Sequence, residues 1–317
     1  MPRYWLHFAN HFLNFRAPEL SALASIYGFP FSSSSLPSAS SDDLEQFGEE
    51  QPFSLIDLPD DSAVKQLLAR SILLRYACEL WASALNYNDL YKKLKATPAL
   101  YEAYLQSNLS YRVQVDSYGK LISHEYKVQK IDELLDEILP KGKIDLKNPG
   151  VTFQIFEYYA PTKNACRSED QPIAIYFGRQ IGRGQGRLPF NYSVKSRVCI
   201  GNTTMEPTLS FLMANMAAVR AGSIVCDPFV GTGSLLLSAA HFGGYCVGTE
   251  INYNLLHGLG KSSRAFAGYR KPGENLVANF EQYGLMDRLL GACLADASRH
   301  DLWNKKSIFD AIITDRK

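Results

Sequence analysis

The chain has 317 residues, enough for two or three domains. Lys and Arg together number 33 against 32 Asp and Glu, so a net charge of +1 excludes a global field for nucleic acid, and any basic surface must be local. Six scattered cysteines form no C-x-x-C pair, and no apolar run approaches the roughly 20 residues of a membrane span. This excludes a disulfide framework, a zinc ribbon and a membrane partner. The pattern predicts reduced core cysteines, no bound metal and a cytoplasmic location.

From the N-terminus, Tyr4 to Phe8 alternates enough for a first strand. Ala17 to Tyr27 reads as a helix, with Pro18 in its first turn and Gly28 as its stop. Ser32 to Asp43 is low in complexity and predicts a solvated loop. A second strand follows over Phe53 to Leu58. Asp61 or Ser62 then caps a helix from Ala63 to about Tyr76, because Val64, Leu67, Leu68, Ile72 and Leu73 keep helical spacing. These elements make a small α+β unit over residues 1–85.

Tyr87 to Leu94 is expected to be helical and Ser110 to Asp116 a strand. Lys127 to Leu139 is amphipathic, with Ile131, Leu134, Leu135 and Ile138 on one helical face. A short extended segment, Ile144-Asp145-Leu146-Lys147-Asn148-Pro149, leads to strands over Val151–Glu157 and Pro172–Arg179. This order, over about residues 90–185, resembles a THUMP domain, an RNA-binding module, and a domain is assigned to residues 86–187. Arg179, Arg183, Arg187, Lys195 and Arg197 fall within an acid-free stretch interleaved with glycines, with Phe190 and Tyr192 among them. Such a stretch can follow a phosphate backbone and stack a base. A solvated interdomain linker is the plainer alternative.

The remaining residues, 188–317, alternate strands and helices. Val198 to Pro207 precedes a helix carrying Leu209, Leu212, Met213, Met216 and Val219, with Thr203 or Thr204 expected as its cap. Ile224 to Cys226 reads as a buried parallel strand. It ends in Asp227-Pro228-Phe229-Val230-Gly231-Thr232-Gly233-Ser234, and a helix then runs to Gly243-Gly244. A second strand is predicted over Tyr245–Glu250, helices over Asn252–Phe266 and Glu274–Tyr283, a third strand over Ala292–Asp296 and a fourth over Phe309–Asp315. This is the order of a doubly wound α/β domain, whose ligand crevice lies at the carboxyl ends of the strands.

The glycine turn narrows the ligand. A dinucleotide site wants G-x-G-x-x-G, but the third glycine position holds Leu236. Asp227 stands just before the turn, where a carboxylate repels a pyrophosphate. It suits S-adenosylmethionine (SAM), which carries an ammonium and a sulfonium and no phosphate. Glu250 ends the second strand and can accept both ribose hydroxyls, a feature that NAD enzymes and SAM enzymes share. Asp296 can accept from an adenine amino group, and Asp315 closes the fourth strand. Four acids are therefore expected on one rim. A plain βα turn without a ligand is the alternative.

These residues together resemble the catalytic subunit family of the tRNA guanosine-10 N2-methyltransferase. The resemblance is carried by Arg3-Tyr4-Trp5-Leu6-His7-Phe8, by Gly201-Asn202-Thr203-Thr204-Met205-Glu206-Pro207 and by Asp227 to Gly233. It continues through His257-Gly258-Leu259-Gly260-Lys261, Asn279 to Gly284 and Asp310 to Asp315. It implies an N-terminal ferredoxin-like unit with THUMP, then a Rossmann-type (class I) SAM-dependent methyltransferase domain. It also implies tRNA and a small zinc-binding activator subunit as partners. The cofactor site it implies comprises Asp227, Pro228, Phe229, Gly231, Thr232, Gly233, Glu250 and Asp296. Asp227 and Gly231–Gly233 would hold the methionine part, Glu250 the ribose and Asp296 the adenine.

One departure is expected to matter. The family continues its fourth strand as Asp-Pro-Pro-Tyr, whose acid and proline carbonyl orient the target amine while the tyrosine stacks the flipped base. Here Arg316-Lys317 follows Asp315. The expectation is an incomplete Rossmann-type domain, truncated after strand four, with Asp315 as its catalytic residue and little or no turnover. Two competing expectations are a noncatalytic tRNA-binding fragment and a nicotinamide oxidoreductase; Leu236 and Asp227 disfavour the second.

Overall fold

A computed structural model describes residues 1–30, 51–159, 171–299 and 307–315. The low-complexity stretch at 32–43, Cys166 and Arg316-Lys317 lie outside the described residues. In chain order the first elements are β1 (Arg3–Phe8), α1 (Arg16–Tyr27), β2 (Phe53–Asp57), α2 (Asp61–Leu68) and β3 (Leu74–Ala84). Next come α3 (Tyr87–Ala96), β4 (Tyr111–Tyr118), α4 (His124–Ile138), β5 (Val151–Tyr158) and β6 (Ala174–Arg183). The rest are α5 (Leu188–Asn191), α6 (Pro207–Met216), β7 (Ile224–Asp227), α7 (Ser234–His241), β8 (Tyr245–Glu250), α8 (Tyr253–Leu256), α9 (Leu276–Gln282), β9 (Leu289–Leu294) and β10 (Ala311–Ile312). Contacts divide the chain into two compact units. The first holds Met1–Leu13, Leu74–Gly184 and the described part of Ser34–Leu68. The second holds the described parts of Asn14–Ser33, Ala69–Leu73 and Gln185–Lys317.

The first unit is built on one six-stranded sheet, ordered β2-β1-β3-β6-β5-β4. Only β4 and β5 run parallel; the other neighbours are antiparallel. The boundary expected near residue 85 thus falls inside a continuous sheet, where β3 pairs with β6 along its length. The helix expected to reach Tyr76 stops at Leu68, and β3 takes over from Leu74. The reason is burial: Ile72, Leu73 and Leu74 form a short, fully packed apolar run, which periodicity alone does not separate from the end of a helix. Along β5, Phe153 and Ile155 face a core with Trp81, Phe177, Leu90, Leu94 and Leu134, while Phe156 and Tyr158 face one with Trp5, Phe53 and Tyr176. Asn86 caps α3 and Ser123 caps α4, each accepting a backbone N–H with its side chain. The segment Ile144–Pro149 turns on Asp145, whose Oδ1 accepts from the Lys147 and Asn148 amides at 2.9 Å.

In the second unit a parallel sheet runs β10-β7-β8-β9. Its core gathers Phe211 of α6, Val225 of β7, Leu236 and Leu237 of α7, Cys246 of β8 and Phe280 of α9. Segment Ala69–Leu73 and α1 belong here. Glu19 of α1 is fully buried. Its carboxylate accepts from the Ser71 hydroxyl (2.7 Å), the Ile72 amide (2.8 Å), the Leu73 amide (3.1 Å) and the Asn215 side chain (2.8 Å). Arg70 donates to Asn215 and to the Val219 carbonyl, and its guanidinium lies 3.8 Å from the Phe242 ring centroid. These bonds fasten α1 to the end of α6.

Three expected elements differ here. Glu206, rather than Thr203 or Thr204, caps α6, accepting from the Thr208 and Leu209 amides. The helix expected over Asn252–Phe266 shrinks to α8, because Gly258 and Gly260 take left-handed backbone angles that end it. The fourth strand is reduced to Ala311–Ile312. Asp310 fixes that strand in place: its carboxylate accepts from the Ile224 amide at 2.7 Å, and its own amide donates to the Ile224 carbonyl.

Cys78, Cys199, Cys226 and Cys246 are buried and unbridged. Burial pushes the Cys226 thiol up to about 11 and Cys246 up to about 12, so both are neutral core groups. No helix among the described residues is long and apolar enough to cross a membrane.

Candidate cofactor site

The site grows from the end of β7. The chain leaves the sheet at Asp227 and is tied at once to the neighbouring strand. The Val230 amide donates to the Thr249 carbonyl, and the Thr249 hydroxyl donates to the Pro228 carbonyl, both at 2.8 Å. The turn closes with the Gly233 amide on the Val230 carbonyl, and α7 begins. Gly231 and Gly233 both have positive φ, and a Cβ on Gly233 would sit 3.1 Å from Leu276 of α9. A side chain at Gly233 is therefore both strained and crowded.

An open cavity of about 240 Å³ lies over this turn. Asp227, Glu250 and Asp315 all line it, with Gly231, Thr232 and Phe229 on one wall and Gly201, Thr203, Thr204 and Met205 on another. No Lys, Arg or His is among its described lining residues. Asp227 is 2% exposed, and its Oδ1 accepts from the Phe229 amide and the Thr314 hydroxyl, both at 3.0 Å. Burial, with the charges of Glu250 and Asp315 adding to it, pushes its carboxyl up to about 6. Glu250 accepts from the Gly231 amide (3.0 Å) and the Asn252 amide (2.9 Å). The wall at 201–204 is held to the turn by Thr204 Oγ1, which lies 3.2 Å from Thr232 Oγ1. Asn279 completes the hold. Fully buried, it bonds the Cys199 amide and carbonyl and the Thr232 carbonyl.

Asp296 stands apart. Strand β9 ends at Leu294, so Asp296 lies two residues beyond the sheet and does not line the cavity. Its Oδ1 accepts from the Ser298 hydroxyl and amide, which hold the carboxyl below its usual range. The expected row of four acids is thus three acids on the cavity and one in a turn outside it. Pro228 opens on an adjacent apolar hollow with Cys226, Ala297 and Ile312, and Phe229 borders both hollows.

Residues 2–186 match the family model described as "Tmrp11 THUMP N-terminal domain". Residues 195–276 match "RMKL-like, methyltransferase domain". The tRNA (guanine(10)-N(2))-methyltransferase TRMT11 of Gallus gallus is 41% identical over 317 residues, covering 99% of this chain and 66% of that protein. The tRNA (guanine(10)-N(2))-methyltransferase of Saccharomyces cerevisiae is 30% identical, covering 99% of this chain and 67% of its own length. The chain belongs to the tRNA (guanine(10)-N(2))-methyltransferase family. It spans about two-thirds of the length of the curated relatives it matches. Among solved structures, TrmN from Thermus thermophilus is similar with a TM-score of 0.48 at 17% identity, over 98% of this chain and 78% of that one.

Within this family member, two of the five basic residues expected over 179–197 to meet RNA turn inward instead. Arg179 is spent inside the first unit: it pairs with Asp61 (2.6 Å) and Glu79 (2.8 Å) and lies over the Tyr104 ring. Arg197 is 1% exposed. It donates to the Ser234 hydroxyl at the start of α7 (2.5 Å) and to the Tyr192 carbonyl (2.8 Å). Tyr192 is buried as well, stacked on Tyr283. The guanidinium groups were drawn inward by partners far away in sequence, which a local charge count does not register. Arg183, Arg187 and Lys195 remain exposed. The expected cofactor set also left out Gly201, Thr203, Thr204 and Met205, signalled by the Gly201–Pro207 motif, and Ser234, Asn252 and Leu255, of which Asn252, two residues past Glu250, carried a usable signal.

Proposed function

We propose that this chain binds SAM over the glycine turn and belongs to an enzyme that methylates the exocyclic N2 of a guanosine in tRNA, at position 10 as in its relatives. The observation that carries the reading is the cavity itself: three carboxylates, one of them buried and pushed upward, and no cation among the described lining residues. Such a lining repels phosphate and is relieved by a cation. A cofactor with an ammonium and a sulfonium fits it, and a dinucleotide does not. When bound, SAM would supply an electrophilic methyl group for the guanosine N2.

In this reading Asp227 and the Gly231–Gly233 backbone hold the amino-acid end. Glu250 faces the ribose. The cavity is smaller than the roughly 300–1,000 Å³ typical of ligand pockets, so the purine would extend past it, and Asp296 is the proposed acceptor for its amino group. Asp315, on the cavity rim, accepts from the target amine and orients its lone pair. Arg183, Arg187 and Lys195 contribute phosphate contacts. A small zinc-binding activator subunit is the proposed protein partner, and the cytoplasm the proposed compartment. Calorimetric titration tests the cofactor: SAM and its demethylated product should bind and NADH should not, and NADH binding tighter than SAM would overturn the reading. Labelled methyl transfer to a tRNA transcript, lost when guanosine 10 is replaced by adenosine, tests the substrate.

A further inference from the structure

Residues 251–273, between Glu250 and Glu274, contain no acid but hold Lys261, Arg264, Arg270 and Lys271. They form a hairpin-like loop. Lys261 and Tyr269 pair across it, the Ser262 amide donates to the Gly268 carbonyl, and the Arg270 amide donates to the Gly260 carbonyl. Two of the four cations anchor the loop, Arg270 on its returning arm and Arg264 in the turn at its tip, where the Arg264 carbonyl accepts from the Ala267 amide. Arg270 donates to the Ile200 carbonyl (3.0 Å) and pairs with buried Glu274; Arg264 donates to the carbonyls of Arg197 and Val198. The other two cations, Lys261 and Lys271, are exposed, as is Lys195 beside the anchor.

Two aromatic side chains, Phe266 in the tip turn and Tyr269 on the returning arm, have the opposite character. Phe266 is 109% exposed and Tyr269 77% exposed, so neither ring has a protein surface to cover it. Phe266 also holds φ at 63°, a left-handed angle that is a genuine outlier for a bulky residue. The fold therefore sustains backbone strain to present an aromatic ring to solvent on a firmly anchored loop. Unreturned strain of this kind clusters at ligand contacts. A protein partner would want an apolar patch; this loop offers isolated rings flanked by cations, the arrangement that stacks bases and neutralises phosphates.

We infer that residues 257–273 form an RNA-contacting finger in which Phe266 and Tyr269 stack on unpaired tRNA bases while Lys261 and Lys271 contact the flanking phosphates. This rests on the tRNA reading of the proposed function. The test is equilibrium binding of a tRNA transcript to the full chain at two salt concentrations, with SAM titrated in parallel. Phe266→Ala and Tyr269→Ala should each weaken tRNA binding by roughly five- to hundred-fold, and Phe266→Trp should restore it. Lys261→Gln and Lys271→Gln should each lower the slope of log K against log salt by about one. SAM affinity and melting temperature should not move, because these side chains are exposed and lie off the cavity. Aromatic variants that bind tRNA as the parent does would overturn the finger alone. So would intact tRNA binding with the loop protected only by a protein partner. A parent chain that binds SAM but no tRNA would overturn the finger and the substrate reading together.

Discussion

Buried acids are handled differently in the first unit and at the cavity of the second. In the first unit Glu157 is fully buried, and its carboxylate accepts from the hydroxyls of Tyr87, Tyr126 (2.9 Å) and Tyr159 (2.8 Å). Arg179 there answers Asp61 and Glu79. Every one of these charges has its partners inside the unit, so the cluster can be read as architecture. At the cavity Asp227 is nearly as buried but has only two donors among the described residues, and the charges of Glu250 and Asp315 act against its own. Holding like charges together costs stability unless a cation arrives. The contrast teaches where to look: acids that are satisfied hold the fold, and acids left facing one another await a ligand.

The largest effect should come from an acid of the satisfied kind. Glu19→Ala strands four buried donors, those of Ser71, Ile72, Leu73 and Asn215. The expected loss is about 3–5 kcal/mol, read from urea unfolding, with Glu19→Gln intermediate because one amide oxygen still accepts. A loss below about 1 kcal/mol would break the comparison, since a satisfied buried acid would then be holding nothing.

Asp227→Asn should go the other way in the ligand-free protein. The folded carboxyl is raised from 3.8 to about 6, so its stabilising share is present below the unfolded value and is lost as pH rises through the folded one. The amide variant escapes that loss. It should be more stable than the parent by roughly 2–3 kcal/mol at pH 8, with the gap closing by about pH 4. SAM affinity should fall by about 30- to 100-fold in the same variant, because the ammonium loses a charged acceptor. Parent affinity should itself rise as pH climbs through 6. A variant that loses stability at pH 8 would show Asp227 to be scaffold.

The turn after β7 was legible in the sequence because its meaning is local: an acid, a proline and two glycines at fixed spacing between an apolar run and a helix. Glu250 was legible for the same reason, as the last residue of its strand. What stayed hidden depends on distance along the chain. The start of β3, up to Tyr76, looks helical until its neighbours β1 and β6 are known. Glu19 and Ala69–Leu73 join the second unit through contacts with residues far away in sequence, the Glu19–Asn215 bond among them. Asp296 reaches the rim only if the third strand ends at Asp296, two residues past its actual end at Leu294. Arg179 and Arg197 counted as surface charge only while their partners were unseen.

That last point yields the smallest and most discriminating prediction. All five basic residues between 179 and 197 carry the same formal charge, yet the structure sorts them by what they touch. Arg187→Gln and Lys195→Gln remove exposed cations that bond nothing essential to the fold. Each should lower the salt slope of tRNA binding by about one and weaken binding only a few-fold, leaving melting unchanged. Arg179→Gln and Arg197→Gln should do the reverse. The first frees Asp61 and Glu79, and the second removes the donor to Ser234, so both should lower stability by about 1–3 kcal/mol while the salt slope stays put. Arg197→Gln should also loosen SAM binding, because Ser234 borders the cavity. If all four variants shifted the salt slope equally, burial would not be what separates them, and a linear count of charges along the chain would have been the better guide to RNA contact.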